Sequence, residues 1–176
     1  MDSAEEARFK DFAQAQAAPS RRFAYLLCGD WHFAEDLMQT TLIKIYRTWS
    51  RVEAPEAAGN YVRQVLLRTW LDEKRKPWRR REERSEPVPD VADVAPDPAA
   101  EAQRMWAKSV VQEGLLKVPP KQRAVLVLRY FDELSVTETA QVLGCSEGNV
   151  KSQTARGLAT LGKAVGLLKP QGLVSS

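Results

Sequence analysis

One segment divides this chain into two parts and limits the folds that it can adopt. Residues 85–101, SEPVPDVADVAPDPAAE, contain four prolines and five acidic residues without a base. Proline removes helix-forming backbone donors and favours extended chain, and like charges extend it further. At about 3.1 Å per residue, such a segment could span roughly 50 Å. We therefore expect an acidic, proline-rich linker between two small domains.

The part before the linker has the periodicity of α-helices. We expect helices over residues 4–16, 20–28, 31–49 and 57–75, because apolar residues recur there at steps of three and four. No stretch alternates with the period of two that marks a strand, so the prediction is an all-α fold. The inner stripe predicted for residues 31–49 consists of Ala34, Leu37, Met38, Leu42, Ile45, Tyr46 and Trp49.

The part after the linker ends in a pair of short helices. In residues 135–161, SVTETAQVLGCSEGNVKSQTARGLATL, Ser135 and Glu138 have the spacing of a capping box. Gly144 suits the left-handed end of the first helix, and Ser146 can cap the second. Two helices around a glycine turn indicate a helix-turn-helix, whose second helix can enter the DNA major groove.

The polar side of that second helix carries the residue types that bind DNA. Lys and Arg suit phosphates and guanine, whereas Asn and Gln suit adenine. An ordinary helical hairpin with a solvated polar face is the alternative. The candidate residues are Glu147, Asn149, Lys151, Ser152, Gln153 and Arg156. The residues expected to be buried in the pair are Ala140, Leu143, Val150, Leu158 and Leu161.

A second nucleic-acid signal lies before the linker. Residues 68–84, RTWLDEKRKPWRRREER, hold eight bases and four acids, a charge of +4 against +3 for the whole chain. Trp70 and Trp78 lie among these bases, and Tyr61 lies just upstream. Cations beside flat rings are what single-stranded DNA binding requires. The alternative is a solvated helix end with Trp70 in the core.

The rest of the composition argues against an enzyme or a membrane protein. His32 is the single histidine, the cysteines Cys28 and Cys145 are far apart, and no phosphate-binding glycine loop occurs. We therefore expect no catalytic activity, no metal and no cofactor. No apolar run approaches about 20 residues, and the acidic N-terminus lacks a secretory signal, so we expect a cytoplasmic protein.

Taken together, these motifs resemble the extracytoplasmic-function (group IV) sigma factors of bacterial RNA polymerase, in the sigma-70 superfamily. AEDLMQTTLIKIYRTW resembles region 2.2, NYVRQVLLRTWLDEKRK resembles regions 2.3 and 2.4, and the segment from VPPKQR to GLATL resembles region 4. VKSQTARGLA is similar to an actinobacterial subgroup. The resemblance implies a region 2 domain over residues 1–84, the linker 85–101, a region 4 domain over 102–170 and a tail over 171–176.

The resemblance also assigns roles to individual residues. Those implied to dock on the clamp helices of the β′ subunit are Asp36, Gln39, Thr40 and Lys44. Those implied to read and melt the minus-ten element are Tyr61, Arg68, Trp70, Lys74, Arg75, Trp78 and Arg79. Those implied to read the minus-thirty-five element are Asn149, Lys151, Ser152, Gln153 and Arg156. Arg68 stands where the family often has Asn.

These roles imply a sigma factor that binds core RNA polymerase, directs it to promoters and helps to melt them. The implied partners are the β′ clamp and β subunit of core polymerase and promoter DNA, both duplex and single-stranded. An anti-sigma factor is a further candidate partner, and the free protein is expected to be a monomer. The acidic linker could thread the polymerase cleft or act as a plain tether. The alternative function is a free-standing helix-turn-helix regulator.

Overall fold

The computed structural model of the chain describes residues 2–52, 54–55, 58–74 and 98–168. These residues form seven α-helices and no strand, which confirms the predicted all-α fold. A 3-10 turn, Trp49–Arg51, follows α2, and a π-helical turn, Val127–Phe131, continues α5. The helices are α1 Ser3–Cys28, α2 Trp31–Arg47, α3 Gly59–Lys74, α4 Pro98–Leu116, α5 Pro120–Leu126, α6 Val136–Leu143 and α7 Glu147–Leu168.

The first helix is longer than predicted, because residues 4–16 and 20–28 join in a single α1 that continues through Pro19. Proline removes one backbone donor from a helix, but Pro19 lies on the exposed side, where water can pair with the freed carbonyl. At the start of α1, the Asp2 carboxylate accepts a hydrogen bond from the Glu5 backbone N–H at 2.8 Å. At its end, Gly29 adopts a φ of 73°, which glycine tolerates without strain.

The helices α1, α2 and α3 form the first lobe. One cluster at its core joins Phe12 of α1 to Ile45 of α2 and Val62 of α3, with Trp49 beside them. The Asp30 carboxylate starts α2 by accepting hydrogen bonds from the backbone N–H groups of the next turn. The side of α3 that faces the other helices has apolar or small residues at helical spacing, and four of them are buried. They are Val62, Val65, Leu66 and Thr69.

The helices α4 to α7 form the second lobe, and α6 and α7 are arranged as the predicted helix-turn-helix. The Ser135 hydroxyl accepts from the Glu138 N–H at 3.0 Å, and the Ser146 hydroxyl accepts from the Asn149 N–H at 3.1 Å. Gly144 has a φ of 65° at the end of α6. Capping side chains therefore fix the start of each helix, and glycine fixes the turn between them.

The structure corrects two details of the second lobe. Helix α4 begins at Pro98, so residues 98–101 are helical although the predicted linker included them. Proline is well tolerated there, because the first turn of a helix leaves its N–H groups unpaired in any case. The remainder of the predicted linker lies outside the described residues. Leu158 is 43% exposed rather than buried, because the inner side of α7 is taken by Gly157, packed on Leu126.

The two lobes pack against each other, which the sequence analysis did not anticipate. One apolar cluster contains Leu27 and Trp70 from the first lobe and Leu115 and Leu128 from the second. The end of α1 approaches α4 so closely that a Cβ atom on Gly29 would lie 2.7 Å from a methyl of Leu116. The described residues therefore form a closed arrangement of two helical lobes.

Candidate nucleic-acid and protein interfaces

The amino-terminal half of α7 carries the five predicted DNA-binding residues, and all but Lys151 share one face. Asn149, Lys151, Ser152 and Arg156 are exposed, and Gln153 is half-buried. Residues 149, 152, 153 and 156 follow helical spacing, so they share one face of α7. This side stays exposed because α7 packs on its lobe through the adjacent side, where Val150 is buried with Val125 and Ala140. The arrangement is that of a recognition helix supported by the rest of its lobe.

The described part of the minus-ten group lies on α3, but its members differ in exposure. Tyr61 is 36% exposed, with its hydroxyl 3.4 Å from the Thr48 hydroxyl. Arg68 lies on the same side of α3 two turns later and is exposed, and Lys74 is half-buried at the end of the helix. Arg75, Trp78 and Arg79 lie outside the described residues.

Trp70 does not lie on that surface. Its side chain is 0% exposed and belongs to the cluster that joins the two lobes. Its predicted stacking on DNA is therefore wrong for the closed arrangement, in which the core alternative holds. The helical spacing explains this position, because Trp70 follows Leu66 by four residues and so continues the buried side of α3.

An open cavity of about 490 Å³ lies beside Tyr61 at the end of α2. Its lining includes Thr48, Arg51, Val52 and Ala58, so it combines a cation with an aromatic ring and apolar wall atoms. The sequence analysis missed this cavity, because it depends on how the segment after α2 turns back against α3. A flat, partly polar group of the size of a nucleobase would fit such a mixture of side chains.

The four residues assigned to polymerase docking share the outward side of α2. Asp36, Gln39, Thr40 and Lys44 are exposed, opposite the buried stripe of that helix. The Lys44 ammonium also donates a hydrogen bond to the Thr69 hydroxyl at 2.9 Å. The α2 face is therefore available in the closed arrangement.

Two large apolar residues accompany that polar group. Ile43 is 54% exposed, seven positions after Asp36 and hence on the same side of α2. Tyr46 is 40% exposed, although the sequence analysis placed it in the inner stripe. Its ring packs against Phe9 with the centroids 5.0 Å apart, which covers one side of the ring. The α2 face thus has the mixed apolar and charged character of a protein-binding surface.

Two features were sought in the described part of the chain, a metal-binding cluster and a helix of membrane-spanning length. No group of three or more His, Cys, Asp and Glu side chains is placed there to hold a metal ion. None of the helices described is long and apolar enough to cross a membrane.

Comparison with known proteins decides the family. Residues 17–80 match the family model of Sigma-70 region 2, and residues 109–161 match that of Sigma-70, region 4. The RNA polymerase sigma-E factor of Streptomyces avermitilis is 33% identical over 162 residues, which cover 92% of this chain and 87% of that protein. The chain belongs to the sigma-70 family. It is a sigma factor of the extracytoplasmic-function type, and its regions 2 and 4 direct RNA polymerase to promoters for transcription initiation.

Two further relatives agree with this assignment. The sigma factor is 30% identical to the ECF RNA polymerase sigma factor SigM of Mycobacterium tuberculosis, with 84% of this chain and 71% of that protein covered. Its fold matches the sigma factor RpoE of Bartonella quintana, solved in complex with the anti-sigma factor NepR. That match has a TM-score of 0.66 at 21% identity and covers 91% of this chain and 99% of that one. The free-standing regulator is not favoured, because region 2 accompanies the helix-turn-helix.

Proposed function

We propose that this sigma factor binds core RNA polymerase through the outward side of α2. Asp36, Gln39, Thr40 and Lys44 supply polar contacts around the exposed side chain of Ile43. A central apolar residue surrounded by polar ones is the usual anatomy of a protein interface. The β′ clamp is the partner that the family resemblance assigns to this helix, with β as a further contact.

We propose that α3 and the basic segment after it hold the melted minus-ten element. Tyr61 and Arg68 share one exposed side of α3, and Lys74, Arg75 and Arg79 extend the positive charge, with Trp78 as a stacking ring. The cavity beside Tyr61 would receive a base extruded from the duplex. Extrusion costs a few kcal/mol, and binding of the base and the single strand would offset that cost without ATP.

The amino-terminal half of α7 is the proposed reader of the minus-thirty-five element. Lys151 and Arg156 are exposed cations suited to phosphates or guanine, and Asn149 and Gln153 are amides suited to adenine. Ser152 lies between them and can donate to a phosphate. The two DNA-binding groups would then contact separate parts of one promoter, duplex at α7 and single-stranded at α3.

The remaining proposals concern partners and location. The factor acts in the cytoplasm as a monomer before it meets polymerase, without catalysis or cofactor of its own. An anti-sigma factor is a reasonable regulator, because a solved sigma factor of the same fold is bound to one. The acidic residues of segment 85–97 would either thread the polymerase cleft or serve as a tether, and their replacement by Ser would weaken core binding in the first case only.

The observation that carries the proposal is the joint presence of regions 2 and 4 with exposed residues on α2 and α7. The test is run-off transcription with purified protein, bacterial core polymerase and a genomic fragment pool, followed by sequencing of RNA ends. Discrete start sites that vanish without the factor are expected, and Lys151→Ala with Arg156→Ala should reduce them. Start sites independent of the factor, with duplex binding by the factor alone, would favour a free-standing regulator.

A further inference from the structure

Arg123 of α5 is buried at the place where the two lobes meet. Its side chain is 4% exposed, and its Nη1 donates a hydrogen bond to the carbonyl oxygen of Leu27, near the end of α1 in the first lobe. Its Nη2 donates to the carbonyls of Leu116 at 3.0 Å and Val118 at 2.9 Å, just past the end of α4 in the second lobe. One guanidinium therefore bonds the terminal carbonyls of helices from both lobes.

These carbonyls explain why a cation belongs at this site. The last turns of a helix have carbonyls without intrahelical donors, and they form the negative end of the helix dipole. The ends of α1 and α4 both meet Arg123, so the guanidinium satisfies acceptors that would otherwise be buried without a donor. Burial lowers the pKa of Arg123 to about 10, which leaves it charged at neutral pH.

Trp70 completes the surroundings of Arg123. The guanidinium carbon lies 5.4 Å from the centroid of the Trp70 ring, within the range of a cation–π contact. Trp70 comes from the first lobe and Arg123 from the second, so this contact also joins the lobes. The cation from the second lobe thus covers a ring in the helix proposed to bind the minus-ten element.

Other contacts around Arg123 also cross between the lobes. Arg63 Nε lies 2.6 Å from Asp132 Oδ2, with both side chains partly buried. The close approach of Gly29 to Leu116 and the shared apolar cluster add to this interface. When the lobes part, Arg123 keeps its bonds to Leu116 and Val118 and loses those to Leu27 and Trp70. The Leu27 carbonyl then meets water, so separation leaves no buried acceptor unpaired.

The closed arrangement is too small for a promoter read at two places. Elements at minus ten and minus thirty-five lie about 25 base pairs apart, or roughly 85 Å along duplex DNA. A compact chain of this length has a radius of gyration of about 16 Å and a diameter of about 40 Å. A segment as long as residues 75–97 reaches at most about 70 Å when extended, and the widths of the two lobes add to this reach, so separated lobes can cover such a span.

We propose that Arg123 is a latch that holds this sigma factor closed through Leu27 and Trp70, and that the lobes part at this contact before both promoter elements can be bound. The need for opening rests on the proposed function, whereas the latch itself concerns the free protein. A closed factor could therefore engage only one of its two DNA-binding groups on a promoter at a time.

Small-angle X-ray scattering of the free full-length protein tests the latch without polymerase or DNA. Arg123→Met replaces the guanidinium side chain with an unbranched apolar one. We expect the radius of gyration to rise from about 16 Å to above about 20 Å. Arg129→Met is the matched control, because Arg129 donates to the carbonyl of Leu134 within its own lobe at 2.6 Å and should leave the radius unchanged.

A folded Arg123→Met protein with the wild-type radius overturns the latch. If Arg123→Met loses its helical circular dichroism, Arg123→Lys decides instead, because it keeps the charge but cannot bond carbonyls of both lobes through a planar fork. Arg123→Lys should also expand the protein, and a compact folded Arg123→Lys protein overturns the proposal.

A reversible cross-link tests whether opening is required. Arg63→Cys and Asp132→Cys, in a Cys145→Ser background, allow a short cleavable bis-maleimide to join the lobes where the native side chains touch. The cross-linked factor should lose run-off transcription from a two-element promoter and regain it after cleavage. Full transcription by the cross-linked factor overturns the required opening. No transcription by the unlinked factor, with the scattering result intact, refutes the proposed function and leaves the latch standing.

Discussion

Lys44 and Thr69 join the outward side of α2 to α3 through a hydrogen bond of 2.9 Å from the ammonium to the hydroxyl. Thr69 is 3% exposed, and its hydroxyl donates in turn to the carbonyl of Val65 at 2.8 Å. Thr69 directly follows Arg68, a residue proposed to bind the minus-ten element. The helix proposed to meet polymerase and the helix proposed to hold DNA are therefore connected through a partly buried hydrogen bond.

Removal of the Thr69 hydroxyl should weaken the first lobe. Thr69→Val keeps the shape of the side chain but leaves the Lys44 ammonium without this acceptor, so we expect the free energy of unfolding to fall by about 1 kcal/mol. Urea unfolding followed by circular dichroism measures the change. Thr40→Val, on the exposed side of α2, is the control and should stay within about 0.5 kcal/mol of wild type. Equal stability of the two variants would contradict a role for this bond.

Ile43 should be a central contact of the polymerase interface. Ile43→Glu replaces an apolar side chain that is 54% exposed with a charged one, so folding should be unaffected. The affinity for core polymerase should fall about tenfold or more. Leu167→Glu is a matched control, because Leu167 is 80% exposed on α7. Binding of labelled factor to core polymerase measures both. A similar affinity for Ile43→Glu and wild type would show that polymerase docks elsewhere.

The thiol of Cys28 should be inert in the folded protein. Burial raises the pKa of Cys28 to about 12 from its ordinary 9.0, so almost no thiolate exists at pH 8. A charged disulfide reagent should therefore modify Cys145 first, and Cys28 only after denaturant is added. Mass spectrometry of the two tryptic peptides separates these outcomes, and prompt modification of native Cys28 would contradict its burial.

The same pKa shift fixes how stability depends on pH. The unfolded chain loses the Cys28 proton above about pH 9, whereas the folded chain keeps it until about pH 12. The contribution of Cys28 to stability is therefore full below pH 9 and declines as the pH rises toward 12. The difference in unfolding free energy between wild type and Cys28→Ala should shrink over that range, and a constant difference would argue against the shift.

The turn of the helix-turn-helix should depend on Gly144. Its φ of 65° lies in the left-handed region, where a Cβ atom costs about 1–2 kcal/mol. Gly144→Ala should lower the melting temperature, although no atom lies within 4 Å of the added methyl. Gly162→Ala on α7 adds a methyl in equally open space and should raise stability by about 0.5–1 kcal/mol. Opposite signs for the two variants are the expected calorimetric result.

Arg156 should contribute more to promoter affinity than a cation farther along α7. Arg156→Ala should weaken holoenzyme binding to a duplex carrying the minus-thirty-five element by about 1–3 kcal/mol if Arg156 contacts a base edge. Lys163→Ala, an exposed cation two turns later, is the control and should change binding little. Fluorescence anisotropy at two salt concentrations measures both variants, and equal effects would indicate nonspecific attraction rather than recognition.

The sequence predicted the helix-turn-helix in detail because its determinants are local. Ser135, Gly144 and Ser146 each act within one turn of their own position, so spacing alone identifies them. The outward sides of α2 and α7 followed from periodicity for the same reason.

The junction between the lobes could not be found in this way. The Arg123 side chain bonds the carbonyl of Leu27, which is 96 positions away, and no spacing along the chain encodes that pairing. Trp70 was assigned to DNA binding because basic residues surround it in the sequence, although it follows Leu66 by four residues and so lies on the buried side of α3. The apolar stripe of α3 contained that signal. The basic charge of the segment and the burial of one of its rings are separate properties.

The outward side of α2 is exposed while the lobes are closed, so polymerase can meet this surface before any rearrangement. Recruitment and activation of the factor would then be successive events. At high polymerase concentration, the observed rate of complex formation would level off at the rate at which the lobes part. The lifetime of the Arg123 contact, rather than diffusion, would then set how fast a newly made factor enters the transcribing pool.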